Sequence, residues 1–174
     1  GSLYYSGSDS VSWGSGTAVW YLGAYTGGSY HWNGFMDDIS IYKGVGFNAN
    51  TVIERYQTGR AGNFTTANTS CVLHIKSDTT YGDTAFVDSS SSTHTITNTN
   101  GVYHHIDDNR TANTAMYFDG SSTIILANDP IYDFAAGEDF TMEAWVKPTD
   151  NSSPERTIIH TDNSDRQGVL ILWK

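Results

Sequence analysis

Short apolar segments separated by turn residues run along the whole chain. In several of them apolar and polar residues alternate, which is the two-residue period of a half-buried β-strand. The clearest example is 140–146, where Phe140, Met142, Ala144 and Val146 share one face. The segments that this pattern predicts as strands are 18–22, 35–42, 72–75, 115–118, 123–126, 140–146, 157–160 and 169–173, with an exposed strand at 95–97.

Glycine, asparagine and aspartate mark the turns between these segments. Asp119-Gly120 is a favoured hairpin dipeptide and predicts a hairpin between the strands on either side of it. One segment has a helical pattern, since Asn50-Thr51 can cap a short turn of helix at 52–57 that ends at Gly59. Many short strands with such turns predict an all-β sandwich or barrel.

The charge balance narrows the range of partners. Charged residues make up 16% of the chain, against roughly 25% in typical globular proteins, and the formal net charge is −10. Binding to phosphates or to an anionic bilayer needs a basic patch, so we expect no nucleic acid and no membrane surface as partner. No apolar run approaches the ~20 residues of a membrane span, so we expect no membrane insertion. The single cysteine, Cys71, lies in a predicted strand and is expected to be a buried structural thiol.

Two stretches carry more specific motifs. Residues 32–45 combine Trp32, Gly34, the pair Asp37-Asp38 and an alternating strand that ends at Tyr42. Residues 71–174 contain Val72-Leu-His-Ile75, Phe86-Val-Asp88-Ser-Ser, Tyr117-Phe-Asp-Gly120 and Asp139-Phe-Thr-Met-Glu-Ala-Trp-Val-Lys-Pro148. The first stretch resembles the closing motif, and the second the opening half, of domains in the laminin G-like, concanavalin A-like lectin and glucanase superfamily. The resemblance implies a jelly-roll β-sandwich.

The two halves stand in an unusual order, because the closing motif precedes the opening one. Residues 1–58 then form the closing part of a laminin G-like sandwich, 59–70 a small polar linker and 71–174 the opening part. Either the domain is circularly permuted, or the chain spans two successive repeats of a longer protein. The middle strands of the family domain are not evident in either part. We therefore expect an incomplete sheet with an open edge that pairs with another chain.

The carboxylates do not form a catalytic pattern. Glycoside hydrolysis needs two carboxylates that face each other across a cleft, and the glucanases of the superfamily carry theirs on one strand as Glu-x-Asp-x-x-Glu. Glu138-Asp139 with Glu143 is the nearest match, but its spacing is wrong, and the resemblance puts Glu143 in a structural strand. We expect Glu143 on the polar face of that strand, and we expect the protein not to be an enzyme.

Calcium is the one cofactor that the sequence suggests. It takes about six to eight oxygen ligands from carboxylates and carbonyls. The resemblance implies a structural calcium that links the opening and closing segments through Asp88 and either Asp37 or Asp38. The clusters at 107–109 and 162–165 are weaker candidates, and for every cluster the alternative is a solvated turn.

Aromatic residues are concentrated between positions 20 and 33. The candidate carbohydrate-binding or interface residues are Trp20, Tyr21, Tyr25, Tyr30, His31, Trp32 and Asn33. Aromatic faces stack on sugars, and side-chain amides bond their hydroxyl groups, but tyrosine and tryptophan also anchor protein interfaces and fill cores. Core packing, a protein interface and glycan binding stay open as alternatives for this segment.

These observations predict a non-catalytic module with a structural or adhesive role, located outside the cell, on the cell surface or on a virion. It would assemble with copies of itself or with neighbouring repeats through open sheet edges, as in a filament. The alternative is a stand-alone carbohydrate-binding lectin domain whose partners are glycans. Assembly predicts a high oligomer, whereas the lectin alternative predicts retention on a polysaccharide.

Overall fold

A computed structural model describes residues 2–8, 19–25, 29–60, 69–99, 101–106, 114–149, 155–162 and 170–173, with the backbone alone at 2–8, 59–60, 99, 162 and 170–173. The strands in chain order are β1 (Ser2–Ser8), β2 (Val19–Leu22), β3 (Asn33–Lys43), β4 (Cys71–Ile75), β5 (Ile96–Thr99), β6 (Tyr103–His105), β7 (Ala115–Asp119), β8 (Thr123–Leu126), β9 (Asp139–Pro148), β10 (Arg156–Asp162) and β11 (Leu170–Trp173). The helix α1 is Ala49–Arg60, and a short 3-10 turn lies at Pro130–Tyr132. The prediction of an all-β fold is confirmed.

The strands form two antiparallel sheets. In the first sheet the order is β1, β9, β3, β7 and β6, and β4 also pairs with β3. β7 pairs with the first residues of β3, up to Met36, and β4 with its last residues, from Ile39. In the second sheet the order is β11, β10, β2, β8 and β5. Each sheet therefore combines strands from residues 1–58 with strands from residues 71–174, while 61–68 of the predicted linker lie outside the described residues.

The inner faces of the two sheets meet in one hydrophobic core. Trp20 and Leu22 enter it from the second sheet, and Met36, Ile41 and Leu73 enter it from the first. The predicted face of β9 also lies there, since Phe140, Met142, Ala144 and Val146 are all buried. Alternation along the strands thus separates inward from outward side chains, as the sequence pattern predicts.

The turn at Asp119-Gly120 does not close a hairpin, so that prediction was wrong. β7 belongs to the first sheet and β8 to the second, and the chain crosses from one sheet to the other at this turn. Gly120 has φ +86°, and its N–H donates to the carbonyl of Trp32 at 3.1 Å. The dipeptide favours a local reversal, but the apolar side chains of the two strands are buried in opposite layers.

The helix is longer than predicted. It runs from Ala49 to Arg60, and Asn48 caps it by accepting a hydrogen bond from the N–H of Thr51 at 3.0 Å. Gly59 does not end it. Tyr56 stacks on Trp145 with ring centroids 5.3 Å apart, so α1 lies against the outer face of the first sheet. No helix in the described part of the chain is long and apolar enough to cross a membrane.

Candidate binding face

A row of side chains crosses the outer face of the first sheet. In the strand register Phe35 of β3 lies opposite Lys147 of β9 on one side and Tyr117 of β7 on the other, and Tyr117 lies opposite Tyr103 of β6. Their neighbours along the strands, such as Met116, point into the core, so these four side chains point outward. The ring centroids are 5.2 Å apart for Phe35 and Tyr117 and 5.3 Å apart for Tyr117 and Tyr103.

Two further rings complete this surface. His105, two residues after Tyr103 on the same face, lies within 5.5–5.7 Å of the rings of Phe35, Tyr103 and Tyr117. Tyr81 stands nearly perpendicular to both Tyr103 and His105, at 88° and 72°, and its side chain is 56% exposed. We call Phe35, Tyr81, Tyr103, His105 and Tyr117 the aromatic platform. Tyr81 forms a wall at its edge.

Polar side chains line the next position along the same strands. Asn33 lies opposite Asp119, and its Oδ1 accepts a hydrogen bond from the hydroxyl of Thr149 at 2.7 Å. The carboxylate of Asp119 accepts hydrogen bonds from Ser121 and the N–H of Ser122. Desolvation acts to raise the pKa of Asp119, but these hydrogen bonds outweigh it and hold the pKa below its usual value. An amide, a hydroxyl and an ionised carboxylate thus stand beside the aromatic platform.

None of the five platform residues was among the candidate binding residues predicted from the sequence. Asn33 was, and it belongs to the polar row. The sequence does carry a local signal, because Tyr103 and His105 are two residues apart and must share a face of one strand. It carries no signal that β6, β7 and β3 are neighbours, so the row itself could not be predicted.

Trp20 and Trp32 of the predicted aromatic segment lie in the core. Both are completely buried, and Trp20 packs against Tyr132 and Phe134 with centroids 5.8 and 6.1 Å apart. Neither indole offers a face to a sugar or to another protein. For these two residues the structure supports the core-packing alternative. The alternation of β2 turns Trp20 inward together with Leu22.

The tyrosines of that segment form a separate surface on the second sheet. His160 of β10 stacks on Tyr25 and more distantly on Tyr21, with centroids 4.3 and 6.2 Å apart. Tyr30 meets Tyr25 edge-on at 6.1 Å and is 52% exposed. His31, next to it, is half-buried. We call Tyr21, Tyr25, Tyr30 and His160 the tyrosine cluster, and residues 26–28 beside it lie outside the described residues.

Asp88 is the centre of a buried hydrogen-bond network. Its carboxylate accepts bonds from the N–H groups of His74, Ser90 and His94, from the Ser90 hydroxyl at 2.8 Å and from Nδ1 of His94 at 2.7 Å. Burial acts to raise the pKa of Asp88, but the hydrogen bonds lower it below its usual value. Because these donors occupy both oxygens, the geometry does not fit Asp88 as a ligand of calcium.

Asp37 and Asp38 lie at a bulge in β3, where the register with β9 shifts between Asp37 and Ser40. Oδ1 of Asp37 accepts hydrogen bonds from the N–H groups of Asp38 and Ser77. Asp38 has φ +47°, and its Oδ1 lies 3.4 Å from Nε2 of His74. Its Oδ2 is buried and has no hydrogen-bond partner among the described residues.

The resemblance implied a calcium ion held by Asp88 and either Asp37 or Asp38. Within the described ranges there is no group of three or more histidines, cysteines, aspartates and glutamates that could hold a metal. That calcium site stays a prediction from the resemblance, and the hydrogen bonds of Asp88 do not favour it. Residues 107–109 and 163–165 of the weaker clusters lie outside the described part.

Glu143 lies on the face of β9 that points away from the core, but it is buried there beneath α1. Its Oε1 accepts a hydrogen bond from the Tyr42 hydroxyl at 2.9 Å, and its Oε2 accepts one from Nε of Arg55 at 2.9 Å. The helix α1, which carries Arg55, covers this face. Burial, and then the charge of Glu143, raises the pKa of Tyr42 far above its usual value. The carboxylate of Glu143 thus joins α1 to the first sheet through these hydrogen bonds.

Among the described residues, Ser77 and His104 are a serine and a histidine in contact, as a nucleophile and its base would be, with Oγ and Nδ1 2.6 Å apart. Nε2 of His104 lies 2.9 Å from the carbonyl of Ala85, which can only accept, so Nε2 carries the proton. Ser77 is completely buried, so no substrate can reach its hydroxyl. The pair holds the loop 76–89 against β6. Cys71 is also buried, as predicted, and burial raises the pKa of its thiol to about 11.

A sugar-binding surface needs aromatic faces and hydrogen-bonding groups side by side, and the platform with its polar row brings both together on one rigid sheet. Comparison with known proteins adds no relative that carries the same residues. No known family model matches the sequence, and no curated protein or solved structure matches it either.

Proposed function

We propose that this chain is a non-catalytic adhesive module of the extracellular space, the cell surface or a virion, and that it adheres by binding glycans on the aromatic platform. The observation that carries the proposal is the row of Phe35, Tyr117 and Tyr103 with Asn33 and Asp119 beside it. A pyranose ring has C–H groups on its faces and hydroxyl groups around its edge. The C–H groups can stack on the aromatic row, and the hydroxyl groups can hydrogen-bond to the polar row.

The strength expected of such a site is modest. Phe35 is buried and supports the row from below, whereas Tyr103 and Tyr117 are partly exposed. Aromatic pairs contribute about 0.5–1.5 kcal/mol beyond the area that they bury, so two partly exposed rings support weak binding of one chain segment. Adhesion then depends on several modules, or several segments of one polysaccharide, acting together. A rigid sheet keeps the entropic cost of binding low.

The family resemblance is part of the proposal. Both sheets combine strands from residues 1–58 with strands from residues 71–174. That arrangement supports a circularly permuted laminin G-like jelly roll that is completed within one chain. A sandwich completed within one chain favours the lectin alternative over assembly by strands shared between chains. Glu143 forms an ion pair with Arg55, and Ser77 is completely buried. Both observations support the non-catalytic role.

A second candidate function is assembly with other copies of the chain through a sheet edge. β5 supports it, because in the described part of the chain this strand pairs with β8 alone, and Thr97 in its middle is exposed. Unpaired backbone groups on such an edge can pair with a strand of another copy. Sedimentation velocity tests this candidate: a high oligomer supports it, and a monomer at all concentrations excludes it.

Affinity electrophoresis tests the glycan proposal. The protein is run through gels that contain xylan, mannan, a mixed-linkage β-glucan or alginate, next to gels without polysaccharide. We expect retardation by at least one of them, and we expect Tyr117→Ala and Tyr103→Ala to abolish it while the fold, followed by circular dichroism, is kept.

Two control variants make the result specific. Tyr56→Ala removes an exposed tyrosine on α1, outside the platform, and should migrate like the wild type. Tyr30→Ala probes the tyrosine cluster. If Tyr30→Ala abolishes retardation and the two platform variants do not, the glycan site is the cluster and the proposal for the platform is overturned.

A further inference from the structure

A cavity of about 310 Å³ is lined by residues of the loop 76–89 and by His104 of β6. The loop 76–89 runs beside the edge strand β6, since the N–H of Gly82 donates to the carbonyl of His104 and the N–H of His104 donates to the carbonyl of Asp83. Tyr81 in this loop is the wall of the platform, and Asp83, two residues on, lines the cavity. A volume of this size is at the lower limit of small-molecule sites.

The cavity contains charges of both signs. Lys76, Asp78 and Asp83 line it together with the hydroxyl of Thr79 and the small apolar side chains of Ala85 and Val87. Lys76 and Asp78 make no hydrogen bond or ion pair with any part of the chain that the structure describes. The hydrogen bond from the N–H of Ala85 holds the pKa of Asp83 below its usual value, so Asp83 is ionised at neutral pH.

One wall of the cavity is held in place from behind. His104 uses both ring nitrogens, one on the carbonyl of Ala85 and one on the hydroxyl of Ser77. Phe86 stacks on the same imidazole with centroids 4.3 Å apart. The position of Ala85 is therefore set before any ligand arrives, which reduces the entropic cost of binding.

The lining selects among classes of ligand. An anion would gain from Lys76 but would be repelled by the two carboxylates. A cation would gain from Asp78 and Asp83 but would leave the ammonium group of Lys76 without an acceptor. A hydroxyl group is both donor and acceptor, so a ligand rich in hydroxyls can hydrogen-bond to Lys76, Asp78 and Asp83 at the same time. Its C–H groups can contact Ala85 and Val87.

We propose that this cavity binds a single neutral sugar residue, the terminal residue of a glycan whose following residues lie on the aromatic platform. The inference rests on the proposed glycan-binding function and adds an end-specific subsite to it. The ammonium group of Lys76 donates hydrogen bonds to hydroxyl oxygens of that residue, and the carboxylates of Asp78 and Asp83 accept hydrogen bonds from its hydroxyl groups.

The test is a titration of the whole chain, labelled with ¹⁵N, with monosaccharides followed by amide chemical shifts. The neutral probes are glucose, galactose, mannose and N-acetylglucosamine, and the charged probes are glucuronate and glucosamine. We expect at least one neutral sugar to shift the amides of residues 76–85 at millimolar concentration. Lys76→Met and Asp78→Ala should each weaken this binding about tenfold, because each removes a hydrogen bond to a charged group.

Glu54→Gln, which alters an exposed carboxylate on α1, is the control and should bind like the wild type. Both cavity variants change side chains at the surface of the loop, and the unshifted amide spectrum reports whether each still folds. The inference is overturned if no neutral sugar shifts the loop amides, if glucuronate or glucosamine binds more tightly than every neutral sugar, or if both variants bind like the wild type.

The same experiment separates this inference from the proposed function. If Tyr117→Ala abolishes retardation by a polysaccharide but no monosaccharide shifts the loop amides, the platform stands and the cavity proposal fails. If a neutral sugar shifts the loop amides but no polysaccharide is retarded, the cavity binds a sugar while the platform does not, and the proposed function fails.

Discussion

The guanidinium group of Arg55 and the carboxylate of Glu143 form a two-point ion pair between the helix and the first sheet. Nε of Arg55 donates to Oε2 at 2.9 Å, and Nη2 contacts Oε1. The side chains are 19% and 8% exposed. Arg55 also lies over the rings of Tyr42 and Phe47, at 5.1 Å from each centroid. This contact fixes α1 on the face that the sequence pattern left open to solvent.

Breaking the ion pair should destabilise the fold. Arg55→Ala leaves the carboxylate of Glu143 buried without its cation, and loss of one partner of a fully buried pair costs about 3–5 kcal/mol. Arg55 is partly exposed, so we expect the free energy of unfolding to fall by about 2 kcal/mol. Urea denaturation measures it. Gln57→Ala, an exposed change on the same helix, should have little effect, and an equally small effect of Arg55→Ala would contradict the prediction.

The Asp88 network should make stability depend on pH. A carboxyl group whose pKa is lowered by folding adds stability that is complete above its unfolded pKa of ~3.9 and is lost as the pH falls through the folded value. Asp88→Asn should therefore cost about 3 kcal/mol near neutral pH, because N–H donors lose their acceptor, and the difference from the wild type should shrink below about pH 4.

Urea unfolding of both proteins between about pH 3 and pH 7 checks the Asp88 prediction. Asp78→Asn is the matched control, because Asp78 is exposed and hydrogen-bonds to nothing in the described ranges. A difference between wild type and Asp88→Asn that does not change with pH would show that the network holds without the charge.

Gly34 should tolerate no side chain. Its φ is +143°, and a Cβ there would lie 2.3 Å from the carbonyl oxygen of Lys147 and 2.8 Å from Cα of Pro148. Gly34→Ala must push β3 away from β9, so we expect a loss of at least about 3 kcal/mol of stability. Gly44→Ala is the control, since Gly44 also has a positive φ, +73°, but meets nothing within 4 Å. It should cost about 1 kcal/mol of backbone strain. Equal midpoints of thermal unfolding for the two variants would refute the close approach.

Calcium should not raise the stability through Asp88, because hydrogen-bond donors already occupy its oxygens. We expect the midpoint of thermal unfolding to be the same in excess EDTA and in millimolar calcium. A rise with calcium that Asp38→Asn removes would instead support a site at the bulge of β3, where Oδ2 of Asp38 has no partner in the described residues.

The sequence by itself determined the local properties of this protein. Alternation in 140–146 identified the buried face of β9, because the two-residue period of a strand is set by the backbone alone. The run around residues 52–57 indicated a helix, and the apolar setting of Cys71 indicated a buried thiol. The sequence also placed Trp20 and Tyr21 on opposite faces of β2, but it did not show which of the two faces packs in the core.

Tertiary structure decided which strands are neighbours. Phe35, Tyr103 and Tyr117 are far apart in the chain and form a row because β3, β7 and β6 pair in one register. The Asp119-Gly120 turn indicated a reversal, yet the strands on either side of it lie in different sheets. The physical reason is the same in both cases: turn and strand propensities act over a few residues, whereas pairing and layer are set by the burial of apolar faces across the whole fold.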